Sequence, residues 1–345
     1  MVLVGEATGE VRWTVPACHG EHALQPLAMS PGGEFVASVG CGDAHWTLRD
    51  AADGAVRRVG ATHDGTRACT CVEPRLQEGC PATAHTSSVS AIEFSPCGQT
   101  LATGDRSGMV ILWDAQKGEA TQSMHAVSNR VMSLSFSMDG AWLASANVDD
   151  NIRVFDTSTG ALLGTFPQPH TEWVISVHFS PKNRGWLAIA GYDVVRVLDV
   201  ESGEMIWRQS GHNFAVFNPT GTSIATSSAS IFRDVQLLDA STGALRLTMT
   251  GHTSYVLAAA FSFDGSQLAS GSNDGTCKVW DVSTGALMRT INIGNTVHIV
   301  VWRRDWVRDT QRAMAFAMGQ HEGLGVGSQV FDLDEEVVRM ILDST

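Results

Sequence analysis

Cys69, Cys71 and Cys80 stand close together in the stretch "ATHDGTRACTCVEPRLQEGCPATA" (61–84), with His63 inside it and His85 just after. Thiolate sulfur and imidazole nitrogen are ligands that zinc favours, and a structural site asks for four of them in a tetrahedron. Spacings of two and nine residues do not make the paired C-x₂-C pattern. Free thiols are therefore the expected state, ahead of a disulfide or a metal site. Asp149, Asp150 and Asn151 offer the oxygen ligands that suit calcium, but a tight hairpin turn explains such a run better. "GLGVGS" (323–328) has the composition of a phosphate loop with no helix after it. The chain contains no G-x-S-x-G elbow and no H-E-x-x-H pair. What remains for acid–base or nucleophilic chemistry is a large set of Ser, His and Asp residues, and these recur at regular intervals.

That regularity comes from the elements that carry them. Aligned on an aromatic-Asp or aliphatic-Asp pair, the chain reads "VASVGCGDAHWTLRDAADGA", "LATGDRSGMVILWDAQKGEA", "LASANVDDNIRVFDTSTGAL", "LAIAGYDVVRVLDVESGEM", "IATSSASIFRDVQLLDASTGAL" and "LASGSNDGTCKVWDVSTGAL". A more degenerate copy, "GVGSQVFDLDEEVVRMIL", follows. The recurring residues are Asp50, Asp114, Asp156, Asp199, Asp239, Asp281 and Asp332. From Asp114 onward the gaps are 42, 43, 40, 42 and 51, and the gap of 64 before Asp114 holds an insertion. A period near 42 lies in the range of roughly 40–45 residues expected for a four-stranded propeller blade.

Within each copy, segments such as "IRVFD" and "CKVWD" alternate apolar and polar residues, the period of a half-buried strand. A turn follows each of the first six Asp residues, with Gly54, Gly118, Gly160, Gly203, Gly243 or Gly285 three or four positions on. The Asp side chain can accept from the backbone two residues ahead, and Gly takes the positive φ that closes the turn. No long segment has the helical period of 3.6. The chain is read as all-β.

A second mark precedes the repeats: "AHTSSV" (84–89), "PHTEWV" (169–174), "GHNFAV" (211–216) and "GHTSYV" (251–256), with His125 in a looser copy. With these residues the chain resembles the WD40-repeat β-propeller family, over about residues 17–342. The resemblance implies one all-β domain over 1–345, a seven-bladed β-propeller of four-stranded antiparallel blades. The blades would span about 17–60, 85–123, 124–167, 169–209, 211–249, 251–290 and 294–342. Residues 1–16 would then be a closing strand or hairpin, and 61–84 a long insertion. Val11–Val15 is favoured to complete the last blade, with Val337–Leu342 as the competitor, because closure removes sheet edges.

The same resemblance gives the polar residues a structural role. In the best copy His252, Ser270, Asp274 and Trp280 would form a hydrogen-bonded chain inside the blade, and a satisfied buried network rigidifies a sheet. Other copies are worn. The second has His85, Thr103 and Trp113 but Ser107 where the Asp belongs. The third has Ser145, Asp149 and Phe155, and the fourth has Ile189 and Leu198. The fifth is short between His212 and Gly221, so irregular strands are expected there. These blades should rest on apolar packing.

The residues left for binding are then Ser88, Arg130, Trp173, Phe214 and Tyr255, which the family places at the wider mouth of a central channel. A second candidate patch is Trp302, Arg304 and Trp306, in and beside the Arg-rich loop 303–312. Aromatics and Arg are enriched at binding hot spots. A net charge of -13 argues against general nucleic-acid binding. The start "MVLVGEATGE" shows no secretory signal, and no apolar window is long enough for a membrane helix. Seven scattered cysteines suit a reducing cytoplasmic or nuclear compartment. The expected function is a non-catalytic scaffold or adaptor that binds several other proteins, without a cofactor or metal. The alternatives are a reader of short, modified or unmodified peptides at the channel mouth and, more remotely, a propeller hydrolase.

Overall fold

Short alternating segments separated by Gly-containing turns fold here as antiparallel sheet. The computed structural model describes residues 2–4, 11–14, 27–31, 35–39, 46–50, 56–60, 85, 87–125, 129–149, 151–167, 174–191, 193–228, 233–262, 264–292, 300–304 and 313–317. Among these residues every regular element is a strand.

Six four-stranded sheets follow one another along the chain, each strand bonded to its neighbour in sequence. They are blades of the β-propeller kind. The first is Leu27–Met29, Phe35–Val39, Trp46–Asp50 and Val56–Gly60. The second is Val89–Phe94, Thr100–Asp105, Met109–Asp114 and Ala120–His125, and the third is Val131–Phe136, Trp142–Asn147, Asn151–Asp156 and Leu162–Pro167. The fourth is Val174–Phe179, Trp186–Gly191, Val194–Asp199 and Met205–Ser210. The fifth, Val216–Phe217, Ser223–Ser227, Val235–Asp239 and Leu245–Met249, has the irregular first strand that its short leading segment predicts. The sixth is Val256–Phe261, Gln267–Ser272, Thr276–Asp281 and Leu287–Asn292.

Two further pairs of strands are described. Val300–Arg304 with Ala313–Ala317 falls in the span expected for a seventh blade. Val11–Thr14 pairs with Val2–Val4 at the N-terminus. Val15, Val337–Leu342 and the insertion 61–84 lie outside the described residues.

The chain divides into two compact units. One comprises Gln25–Asp50 and Ala55–His170 and carries the first three blades; the other comprises Met1–Leu24, Ala51–Gly54 and Thr171–Thr345 and carries the next three. In the first, Trp46 meets Trp113 of the next blade edge to face, centroids 5.5 Å apart. Ala102, Val110 and Leu112 pack on Val131, Leu134 and Phe136 of the third blade. The approach there is so close that a Cβ on Gly104 would lie 2.5 Å from Val131 Cγ1. In the other unit Ala188, Val195 and Val197 pack on Ile224 and Leu238, and Leu237 and Met249 pack on Leu268 and Trp280. Burial of each large apolar side chain is worth about 1.5–3 kcal/mol, more than a single hydrogen bond, so apolar area is the main tie between neighbouring blades within each unit.

The fourth strands are amphipathic, as Leu162–Pro167 and Leu287–Asn292 show by their alternating exposure. Where the third strand meets the fourth, the register shifts by one residue beside the recurring aromatic or Leu position, as between Val154 and Phe155 and between Val279 and Trp280. Such bulges increase local twist. The turn into the fourth strand is built as the sequence predicts. Asp156 Oδ1 accepts from Ser158 N at 3.0 Å and Thr159 N at 2.8 Å, and Gly160 has φ 72°. Asp114, Asp239 and Asp281 repeat the arrangement.

Candidate functional site

The sixth blade brings Ser, His and Asp into a connected chain. His252 Nδ1 lies 2.8 Å from Asp274 Oδ2, and His252 Nε2 lies 2.8 Å from Ser270 Oγ. Trp280 Nε1 donates to the same Ser270 oxygen at 2.8 Å. Asp274 also accepts from Thr253 N at 2.9 Å and from Thr276 Oγ1 at 2.6 Å. The carboxylate is acceptor-only, so Nδ1 carries the proton, and Ser270 Oγ then donates to Nε2. Burial holds His252 below its ordinary value against the pull of Asp274. Burial pushes Asp274 up, and the hydrogen bonds from Thr276, Thr253 N and His252 more than offset it, leaving the carboxyl at about 2.

This connectivity is that of an acid–base relay. Its setting is different from that of a reaction site. Ser270 is 0% exposed, and its oxygen already accepts a hydrogen bond from the Trp280 N–H. A nucleophile needs room for a substrate carbonyl about 3 Å away, and this hydroxyl has none. The four residues named from the sequence are brought together, within the wall of the blade.

In the second blade the structure corrects the sequence reading. His85 Nε2 lies 2.6 Å from Thr103 Oγ1, and Trp113 Nε1 donates to that oxygen at 2.7 Å. The acid is Asp105, two residues before Ser107: its Oδ2 is 2.9 Å from His85 Nδ1. Its Oδ1 accepts from Ser107 N, Ser107 Oγ and Met109 N at 2.8, 2.7 and 3.0 Å. Burial raises the Asp105 carboxyl, but the bonds from His85 and Ser107 carry it below its ordinary value. The network is intact, with its carboxylate entering from another position on the hairpin.

The third blade substitutes an ion pair. Asp149 receives both terminal nitrogens of Arg153, at 3.1 and 2.6 Å, and Ser145 Oγ turns to Asn147 Oδ1 at 3.0 Å. Phe155 is buried in the apolar cluster shared with the second blade. Asp149 thus has a partner within its own hairpin, as the turn reading of 149–151 expects. In the fourth blade Ile189 and Leu198 are buried and the network is replaced by apolar contact. In the fifth, Leu238 stands in the Trp position.

The candidate binding residues divide. Arg106 N donates to Ser88 O at 2.9 Å, Val148 N to Arg130 O at 3.0 Å and Asn273 N to Tyr255 O at 2.9 Å. The same bond in three blades places Ser88, Arg130 and Tyr255 at equivalent positions. Ser88 and Arg130 are half-buried, and Tyr255 is 51% exposed. Phe214 is otherwise: it is 6% exposed and packs with Val235, Leu237 and Val256. From His212 to Phe217 the chain advances five residues, against nine from His252 to Phe261. That shortening draws Phe214 into the core, and it is not available to a partner. Trp173 and Trp306 lie outside the described residues. Trp302 and Arg304 lie on Val300–Arg304, whose backbone alone is described. Among the described residues no group of three His, Cys, Asp or Glu is placed to hold a metal ion, and Cys69, Cys71 and Cys80 lie outside them.

The family model "WD domain, G-beta repeat" matches residues 78–114, 118–156 and 243–281. Each match ends on a recurring Asp, the turn residue after the third strand. The chain is 29% identical over 221 residues to Periodic tryptophan protein 2 of Arabidopsis thaliana, covering 60% of this chain and 23% of that protein. It is 28% identical over 218 residues to Small ribosomal subunit protein RACK1 of Neurospora crassa, covering 60% of this chain and 69% of that one. It is 27% identical over 224 residues to a Guanine nucleotide-binding protein subunit beta of Arabidopsis thaliana, covering 58% of each. The chain thus spans less than a quarter of the first relative and about three fifths of the third.

Proposed function

Starting from a chain that belongs to the WD40-repeat family, we propose that it is a non-catalytic interaction platform, a scaffold or adaptor subunit that binds other proteins in an assembly. One observation carries this reading: among the described residues, the Ser or Thr, His and Asp groups of the second and sixth blades are consumed inside those blades, while Tyr255 stands exposed at a position repeated from blade to blade. Preorganised side chains on a sheet scaffold lose little freedom on docking, and an exposed aromatic supplies contact area at low entropic cost. The names of two relatives, a small ribosomal subunit protein and a subunit beta, describe members of assemblies, and membership of that kind is what we propose here. Ser88 and Arg130 hold the equivalent place in the second and third blades, and we propose the same role for them. The described residues contain no helix long and apolar enough to cross a membrane. A cytoplasmic or nuclear location, which suits reduced cysteines, is part of the same proposal.

Affinity purification with quantitative mass spectrometry tests the reading. The wild-type chain should recover a defined set of proteins, and Tyr255→Ala should lose some of them with an unchanged melting temperature. Recovery of no specific protein would refute the platform. Binding of a short isolated peptide that Tyr255→Ala abolishes would favour a peptide reader instead.

A further inference from the structure

His212 leads the fifth blade but is not held as His85 and His252 are. Its Nδ1 faces the main-chain oxygen of Ser227, and its Nε2 faces Gln209 Oε1 at 3.2 Å. Both partners are acceptors. The Gln209 amide is oriented by its own Nε2, which donates to Gly243 O at 2.6 Å, so an oxygen rather than an N–H meets the imidazole. A neutral imidazole has one N–H: it satisfies one of these oxygens and turns a lone pair on the other. An imidazolium has two and satisfies both.

Strand register points to a second seat for the same side chain. Thr226 Oγ1 and Ser228 Oγ are buried, and among the described residues neither has a hydrogen-bond partner. They correspond in register to Thr103 and Asp105, the two residues that hold His85 at 2.6 and 2.9 Å. Hydroxyls donate or accept, so this pair suits a neutral ring. A hydroxyl left buried and unmatched is destabilising, so the seat is worth filling when the ring has no second proton.

We infer that His212 is a latch with two seats. Charged, it ties Ser227 of the fifth blade to Gln209 on the last strand of the fourth; neutral, it turns to Thr226 and Ser228 and releases Gln209. The charged groups around it are consistent with a titratable seat. Asp193, before the third strand of the fourth blade, acts on the imidazole and favours its charge, whereas burial opposes the charge and prevails. Arg208, next to Gln209, extends to Ser210 Oγ at 3.4 Å. Beyond Ser228, whose N–H donates to Asp234 O at 2.8 Å, lie Asp234 and the exposed Arg233. The change of seat therefore falls on the acid side of an ordinary histidine. The next residue passes the movement on: Asn213 N donates to Ser227 Oγ at 3.1 Å and Asn213 Nδ2 to Val256 O at 3.3 Å, one residue from Tyr255. The latch itself does not depend on what binds there.

Histidine NMR on the full chain, across roughly pH 4 to 8, tests it. The expected result is a midpoint below 6.5, with ring contacts to Gln209 on the acid side and to the Thr226 methyl on the basic side. Gln209→Ala should lower the midpoint by about 0.5–1 unit, the worth of one hydrogen bond. Gln209→Glu should raise it at least as far, and Thr226→Val with Ser228→Ala should raise it too. A midpoint that ignores Gln209→Glu, or ring contacts that are the same at both ends of the titration, would overturn the latch. If Gln209→Ala does not fold, the Glu variant and the wild-type contacts still decide.

Discussion

Asp105 and Ser107 show what a single residue does here. A reading by position assigns the blade's acid to the fourth residue after the Ser or Thr, as Asp274 follows Ser270, and finds Ser107 in that place. The carboxylate at the second residue instead reaches His85 and folds back on Ser107. We predict that Asp105→Ala, which strands the buried His85 nitrogen, costs about 1–3 kcal/mol, and that Ser107→Ala costs about 0.5–1 kcal/mol; urea unfolding of the two variants measures the difference. An Asp two residues after the Thr was visible in the sequence, but its reach was not, because reach depends on the hairpin's curvature. The sixth blade was legible to the side chain, because all four partners stand at the family's positions. Its carboxylate also carries a pH signature. Asp274 is held at about 2, below the ordinary 3.8, so its contribution is present above pH 3.8 and disappears as pH falls toward 2. Acid unfolding of Asp274→Asn should lack that segment of the pH dependence.

Among the elements, strands and turns were the most legible part. Apolar-polar alternation, Asp-Gly turns and a period near 42 depend on local rules that the fold leaves intact. Phe214 was misread because its fate is set by length rather than type. A leading segment four residues shorter than that of the sixth blade cannot carry it to the surface, so the first strand is cut to Val216–Phe217 and the aromatic joins the core. Phe214→Ala should therefore cost about 3–5 kcal/mol in stability, as a large core truncation does, which a thermal melt would show. Between blades the constraint is space. Gly104 faces Val131 too closely for any Cβ, and Gly104→Ala is expected to destabilise by about 1–3 kcal/mol through overpacking. Chemical denaturation measures it, and an unchanged midpoint would mean the two strands can part without cost.

At the scale of the whole molecule, buried chains of Ser or Thr, His, Asp and Trp in two blades and apolar interfaces hold the sheets, and the proposed function assigns exposed positions such as Tyr255 to partners. The family was legible because many weak marks recur in register. The partners were not, because contact surfaces follow no period. Ser270 is where the central claim is most exposed to test. Ser270→Ala removes one oxygen and leaves almost no cavity, but it strips both Trp280 Nε1 and His252 Nε2 of their partner. Urea unfolding of that variant should show stability lower by about 2–4 kcal/mol, the cost of two buried groups left unmatched. A midpoint equal to that of the wild-type chain would contradict the claim that these polar residues are architecture.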